Sequence, residues 1–169
     1  INASAWCYTG SGKTVRVGFM QIKGLREDLV KQLIDERQAN GPYQSLSDFL
    51  TRVNPDLAQA TLLIKAGCLD SIAGELTRPA LLWRLLASRA STPPSSVPIP
   101  EAYSFQKSLS HELALFGFPL QCHPLDLFRD AYTNLRYICA KDLALHIGED
   151  VTLIGWMLTE KIVSTKTGE

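Results

Sequence analysis

The sequence predicts a mainly α-helical chain with a small β-hairpin at its N-terminal end. Apolar residues recur at three- and four-residue spacing in successive segments, which is the period of an amphipathic helix. Serine, threonine or aspartate stands in capping position before these segments, and glycine or proline follows them. Residues 1–18 differ, because aromatic and β-branched residues flank the turn sequence GSGK there, as in a hairpin of two strands.

Residues 19–90 are predicted to form one helical domain. Its first helix presents a single apolar face, made of Leu25, Leu29, Val30, Leu33 and Ile34. The second helix, LSDFLTRV, is capped by Ser45 or Ser47. A third, DLAQATLLIKAG, ends at Gly67, and a fourth, RPALLWRLLASRA, is capped by Thr77.

Three further segments follow this domain. Residues 91–100, STPPSSVPIP, are rich in proline and serine, which is typical of an extended linker. Residues 101–148 contain short helical patterns separated by proline and glycine, and we expect a helical connector. Residues 149–169 include VTLIGWML, a β-rich sequence with largely apolar faces, and we expect a strand there.

Composition excludes some classes of partner. The 169 residues contain 17 basic and 17 acidic side chains, so the net charge attracts neither nucleic acid nor membrane. No apolar run reaches the ~18–20 residues that span a bilayer, and we expect no membrane association. The four cysteines are widely scattered and form no metal-binding pair, as in reduced cytoplasmic proteins. The chain begins at Ile1, and we expect it to be part of a longer protein.

The sequence Ile22-Lys23-Gly24-Leu25-Arg26 is the first candidate binding site. Glycine lets the backbone approach another backbone closely, and the first amides of the following helix favour an anion. Lys23 and Arg26 add positive charge on both sides of Gly24. Together these groups suit a phosphodiester held without reading any base. The alternative is a tight corner between helices with solvated charges.

A second stretch, Ile64-Lys65-Ala66-Gly67, repeats this pattern about 40 residues later, again between helices. One such corner is common, whereas two suggest a tandem helix-hairpin-helix unit. The two turns of such a unit can hold the two backbones of a duplex. The second turn therefore favours the phosphate interpretation over the corner.

The motifs then show a resemblance to a known family. VRVGFMQIKGL, GPYQSLSDFLTRV, LIKAGCLDSI and LFGFPLQCHPLD occur in the order and spacing of the C-terminal half of the bacterial DNA polymerase III alpha subunit. RVGFMQIKGL and RPALLWRLL are also similar to its error-prone paralogue, and the branch is left open. The residues that match family motifs are Lys23, Gly24, Lys65, Gly67, His123, Pro124, Leu125, Gly155, Lys166 and Gly168.

This resemblance implies a division of the chain. Residues 1–18 would close the fingers domain, 19–90 would form the tandem helix-hairpin-helix domain, and 149–169 would begin an OB-fold. The parent protein would be a DNA-directed DNA polymerase that uses Mg²⁺. Its catalytic palm lies outside this sequence, so we expect no catalytic residue, metal site or cofactor here. The implied partners are duplex DNA, other holoenzyme subunits and, through the OB-fold, single-stranded DNA.

We expect DNA binding at Lys23, Gly24, Leu25, Arg26, Lys65 and Gly67, of which Lys23, Gly24, Lys65 and Gly67 also match the family motifs. Two residues depart from the family pattern. Arg26 replaces a second glycine and could crowd DNA or add a salt link to it, and Cys122 stands where glycine is common. The competing class is a protein-interaction module of a replication or repair complex, for which the neutral net charge speaks.

Overall fold

The computed structural model describes residues 1–90, 100–157 and 159–160. It divides into two compact units, Ile1–Pro119 and Leu120–Glu169. Within the described residues, the first unit contains the β-hairpin and the five longer helices, and the second contains short helical turns. The mainly helical fold with a small two-stranded sheet confirms the predicted fold class. The predicted linker, residues 91–100, lies outside the described residues except for Pro100.

The N-terminal hairpin is shorter than the sequence predicted. Strand β1, Thr9–Ser11, pairs antiparallel with β2, Thr14–Arg16, and both strands are exposed. The chain then bends into a 3₁₀ turn at Phe19–Gln21, where Phe19 is buried. A Cβ at Gly18 would overlap the backbone of Trp6 and Cys7, so a glycine is required at this crossing. The close contact ends strand pairing and directs the chain into the helical domain.

Five helices form the body of the first unit. They are α1 (Glu27–Asn40), α2 (Leu46–Val53), α3 (Leu57–Lys65), α4 (Arg78–Arg89) and α5 (Phe105–Phe116). Helices α2, α3, α4 and α5 are capped by Ser45, Asp56, Thr77 and Ser104 respectively. Each of these side chains accepts a backbone N–H from the first turn of its helix. Each cap satisfies one amide that the helix leaves unpaired, which explains why these helices begin where the sequence predicted.

The core lies where the apolar faces of these helices meet. Fully buried members include Leu33, Phe49, Leu63, Ile64 and Leu85. One boundary differs from the prediction, because α1 begins at Glu27 and Leu25 precedes it. Leu25 still packs against the core, but from the turn before the helix. The apolar character of Leu25 therefore correctly predicted that it packs against the core, but the prediction that it belongs to the helix was wrong.

The second unit contains 3₁₀ turns at Pro124–Phe128 and Ala140–Leu145, with α6 (Arg129–Tyr132) between them. His123 begins the first turn: its Nδ1 accepts the N–H of Leu125 at 3.2 Å, and its own N–H donates to Asp126 at 3.0 Å. This reciprocal cap gives the His-Pro-Leu sequence a local structural role.

The strand predicted after residue 149 does not form in the described residues. Residues 150–157 form no strand; one backbone hydrogen bond, from Ile138 N–H to the Thr152 carbonyl at 3.1 Å, holds this segment. Trp156 stacks on Phe128 with ring centroids 6.0 Å apart. A strand needs a neighbouring strand to complete its hydrogen bonds, and the described part of the second unit offers none. Lys166 and Gly168 lie outside the described residues.

Candidate nucleic-acid interface

Residues 22–26, here called turn 1, reverse the chain before α1. The Leu25 N–H donates to the Ile22 carbonyl at 3.1 Å, which closes the turn. Gly24 has φ 81°, a left-handed conformation that side chains rarely adopt. A Cβ at Gly24 would meet only Leu62 Cδ1, at an ordinary 3.6 Å. Backbone conformation alone therefore requires this glycine, because the contact with Leu62 is an ordinary one.

Lys23, in turn 1, lies beside the end of α5. Its backbone N–H donates to the Leu115 carbonyl at 2.9 Å. Its Nζ lies near Gly117, the C-cap of α5: a Cβ atom added to this glycine would be 3.9 Å from the Nζ. The C-terminal carbonyls of a helix attract a positive charge, and α5 has no basic residue in its own last turn. The exposed Lys23 side chain thus complements α5 and remains accessible to an anion.

Arg26 is the N-cap of α1, and its charge is already shared. The guanidinium lies 3.3 Å from Asp28 and 3.5 Å from Asp56, with the side chain 54% exposed. Glu27 also stands in the first turn of α1. These carboxylates reduce the positive potential that the helix N-terminus would offer an anion. A phosphate at turn 1 would have to compete with Asp56 and Asp28 for Arg26.

Gln59, on α3, joins turn 1 to the helical domain. Its Nε2 donates to the Gly24 carbonyl and its Oε1 accepts the Arg26 N–H, each at 2.9 Å. The side chain is buried, and the Gln59 backbone N–H is itself capped by Asp56 at 2.8 Å. The sequence did not predict this role. The available signal was a polar residue on the otherwise apolar buried face of α3.

Residues 64–69, here called turn 2, end α3. The Gly67 N–H donates to the Ile64 carbonyl at 3.0 Å, and the Cys68 N–H donates to the Leu63 carbonyl at 2.9 Å. Gly67 has φ 75°, as the predicted helix end requires. These paired bonds satisfy carbonyls that the last turn of α3 would leave free.

Arg78 covers Gly67 from the start of α4. Its guanidinium donates to Asp70 at 2.6 Å and to the Lys65 carbonyl at 3.4 Å. A Cβ at Gly67 would overlap this guanidinium. Gly67 is therefore required twice, by its left-handed conformation and by the arginine that lies against it. The glycine surface of turn 2 is already occupied by this chain.

Further positive charge gathers near turn 2. Burial, followed by the charges of Lys65, Lys107 and Arg78, lowers the pKa of His111 on α5. His111 Nδ1 is buried and has no hydrogen-bond partner within the described part of the chain. The low pKa keeps the imidazole neutral at physiological pH, so the lysines and Arg78 supply the charge here.

The described residues offer few alternatives to these two turns. They contain no group of three or more His, Cys, Asp or Glu side chains placed to hold a metal. No helix among them has the length and apolarity to cross a membrane. A cleft of 530 Å³ lies between α2 and α4, and none of the six predicted site residues lines it. The two turns thus remain the main candidate.

Residues 1–80 match the helix-hairpin-helix motif family, which covers both turns. The N-terminal part of the chain is thus similar to proteins that carry this motif.

The chain is also similar to bacterial DNA polymerases, which confirms the family resemblance. It is 29% identical to the error-prone DNA polymerase of Rhodopirellula baltica over 91% of the chain and 14% of that protein. It is 30% identical to the DNA polymerase III subunit alpha of Treponema pallidum over 76% of the chain and 13% of that protein. It is 29% identical to the DNA polymerase III subunit alpha of Borreliella burgdorferi over 94% of the chain and 16% of that protein. The chain thus spans about one seventh of each relative's length.

Proposed function

We propose that the chain is the part of a bacterial DNA polymerase that holds duplex DNA by its phosphate backbone, without reading sequence. The observation that carries this proposal is the pair of glycine turns at the two ends of one helix, in a chain similar to DNA polymerases. Turn 1 bonds to Gln59 near the start of α3, and turn 2 ends the same helix. We assign the chemistry to the rest of the parent polymerase, because the family resemblance places the catalytic palm outside this chain.

The spacing of the two turns supports this function. Between Gln59 and Lys65, α3 rises about 9 Å. This rise is comparable to the widths of the two grooves of B-DNA, which are about 6 and 12 Å. One rigid helix therefore separates the two turns by about the width of a groove. Two turns on such a helix can contact phosphates on both strands. Backbone amides and lysine ammonium groups suit phosphate oxygens and carry no information about the bases, which favours binding that is indifferent to sequence.

The proposed DNA contacts are Lys23, Gly24, Leu25 and Arg26 in turn 1, and Lys65 and Gly67 in turn 2. Lys23 and Gly24 are both exposed, so their side chain and backbone are accessible to a phosphate. Lys65 is half-buried at the end of α3 and would act together with the nearby Lys107. Because Arg78 covers Gly67, we propose that Gly67 shapes turn 2, while Lys65 makes the phosphate contact.

The parent protein would be a DNA-directed DNA polymerase, replicative or error-prone, that acts in the bacterial cytoplasm with Mg²⁺ in its palm. Other holoenzyme subunits and, through an OB-fold beginning in residues 149–169, single-stranded DNA are its further proposed partners. We expect the purified chain alone to incorporate no nucleotide. Magnesium-dependent incorporation that survives repeated chromatography would contradict this expectation.

A protein-docking module is the second candidate function. The observation in its favour is that Arg26 and Arg78 are each paired with carboxylates of this chain, in a protein with no net charge. Salt dependence separates the two functions. Phosphate contacts release counterions, so DNA affinity falls steeply with salt, whereas docking on an uncharged protein surface does not depend on salt in this way.

The test is a titration with two duplexes of unrelated sequence at several salt concentrations. We expect similar affinities of roughly 10⁻⁴–10⁻⁶ M at physiological salt. Lys23→Ala, Arg26→Ala and Lys65→Ala should each lower the salt slope by about 1. Arg26→Gly should fold and give a shallower slope, and a steeper slope would show that Arg26 blocks the site. Lys141→Ala, at an exposed position in the second unit, is the matched control.

If all three alanine variants fold and keep the parent's affinity and slope, the two turns are corners between helices. The docking function would then replace DNA binding. Strong preference for one of the two duplexes would contradict the proposal that the chain does not read sequence.

A further inference from the structure

We propose that Gln59 is a positioning residue that fixes turn 1 on α3 and so sets its distance from turn 2. This inference rests on the proposed DNA binding. One amide group holds both sides of Leu25: Nε2 donates to the Gly24 carbonyl and Oε1 accepts the Arg26 N–H. Two bonds from one side chain fix both position and orientation of the turn.

Glutamine is specifically suited to this position. The turn presents one acceptor and one donor, and a neutral primary amide supplies the complementary donor and acceptor together. Gln59 is only 7% exposed, so water cannot readily replace either bond. An apolar side chain of similar size would leave the Gly24 carbonyl and the Arg26 N–H without partners, which is unfavourable in a buried site.

The first turn of α3 also controls the Arg26 side chain. Asp56 Oδ1 caps the Gln59 N–H at 2.8 Å, while Asp56 Oδ2 lies 3.5 Å from the Arg26 guanidinium. Arg26 is thus held through its backbone by Gln59 and through its side chain by Asp56. Since α3 ends in turn 2, its rigid backbone relates both contacts to Lys65. Loosening Gln59 would free turn 1 while leaving the packing of α3 in the core.

The main test compares Gln59→Leu with the parent chain. We expect about tenfold weaker binding to duplex DNA and a salt slope lower by about 1, because turn 1 no longer holds its phosphate. Amide exchange of Arg26 should also become faster, since its acceptor is gone. Gln32→Leu is the matched control: it removes a glutamine bond to the Val53 carbonyl, away from both turns. This control should keep the parent's affinity and slope.

Gln59→Glu gives a second test by pH. An ionised carboxylate accepts the Arg26 N–H but repels the Gly24 carbonyl, whereas a protonated carboxyl group can accept one bond and donate the other. Burial should raise the glutamate pKa above its usual value of about 4.3. We therefore expect weak DNA binding at pH 8 and recovery toward the parent's affinity near pH 5. Arg26 and Asp56, the charged groups beside this position, are present in both proteins, so the parent measured at both pH values corrects for them.

The results separate this inference from the function on which it rests. If the parent binds no DNA, both fail. If the parent binds and a folded Gln59→Leu keeps its affinity, salt slope and Arg26 exchange, only the positioning role of Gln59 is wrong. If Gln59→Leu does not fold, Gln59→Glu decides: the same pH dependence as the parent overturns the inference, and recovery at low pH supports it.

Discussion

Turn 1 and turn 2 share a sequence pattern and differ in what their glycines do. Both glycines have positive φ, 81° at Gly24 and 75° at Gly67. Beside Gly24 the nearest side chain is at ordinary contact distance, whereas Arg78 lies directly against Gly67. The backbone of turn 1 at Gly24 is therefore exposed, whereas the guanidinium of Arg78 covers turn 2 at Gly67. The shared pattern specifies a left-handed turn after isoleucine and lysine, and the neighbouring residues decide whether a ligand can approach it.

Alanine substitution at the two glycines should give the largest difference. Gly24→Ala should lower the free energy of unfolding by about 1–2 kcal/mol, the cost of a left-handed conformation. Gly67→Ala should lower it by about 1 kcal/mol more, because Arg78 must also leave its hydrogen bonds. Urea unfolding of both variants measures the difference. Equal effects would show that Arg78 moves aside at no cost.

Removing Arg78 sharpens this comparison. In an Arg78→Ala background the extra effect of Gly67→Ala should disappear, while that of Gly24→Ala should not change. A double-mutant cycle on each pair isolates the coupling. Coupling between Arg78 and Gly24 as large as that between Arg78 and Gly67 would contradict the proposed contact.

A smaller effect is expected from Asp56→Asn, which concerns turn 1 only. Asparagine can still cap α3 through its oxygen, but it no longer neutralises Arg26. DNA affinity should rise, and the salt slope should become steeper by less than about 1, because Arg26 would no longer be shared between Asp56 and a phosphate. The same substitution combined with Arg26→Ala should have no such effect. Unchanged binding of Asp56→Asn would show that Arg26 is not restrained by Asp56.

A separate effect distinguishes turn 2 by its pH dependence. Burial raises the pKa of the Cys68 thiol to about 11, from a usual value of 9.0. As pH rises from about 9 to 11, the unfolded chain loses this proton before the folded chain does, so stability falls. Cys68→Ala should reduce the fall, measured by urea unfolding at pH 8 and pH 10.5. An equal fall in both proteins would assign it to other groups.

Local sequence predicted much of the fold because short-range chemistry determines it. Helix α2 has the predicted bounds, since its cap and the Asn-Pro sequence after it are both local signals. Helix α3 ends at Lys65, and the left-handed Gly67 follows its cap for the same reason. The start of α1 was misplaced by two residues, because an apolar residue in a buried turn and one on a helix face look alike in sequence.

The arrangement of the candidate site could not be predicted in this way. Gln59 and Gly24 are 35 positions apart, and nothing in the local pattern links them. Likewise, the pairing of Arg26 with Asp56 and the cover of Gly67 by Arg78 depend on how the helices pack. The β-rich pattern after residue 150 predicted a strand, but strand formation depends on a neighbour that the described residues do not supply.

The contact between turn 1 and α5 has a consequence for synthesis of the protein. Gln21, just before turn 1, donates to the Phe116 carbonyl at 2.7 Å, across 95 positions of sequence. At about 5–20 residues per second, a ribosome needs about 5–20 s to make the chain between them. During that interval α1 to α4 can already pack, while turn 1 lacks the partner that completes its support. Turn 1 is therefore translated before α1 to α4, but it gains its support from α5 only after all four have been made.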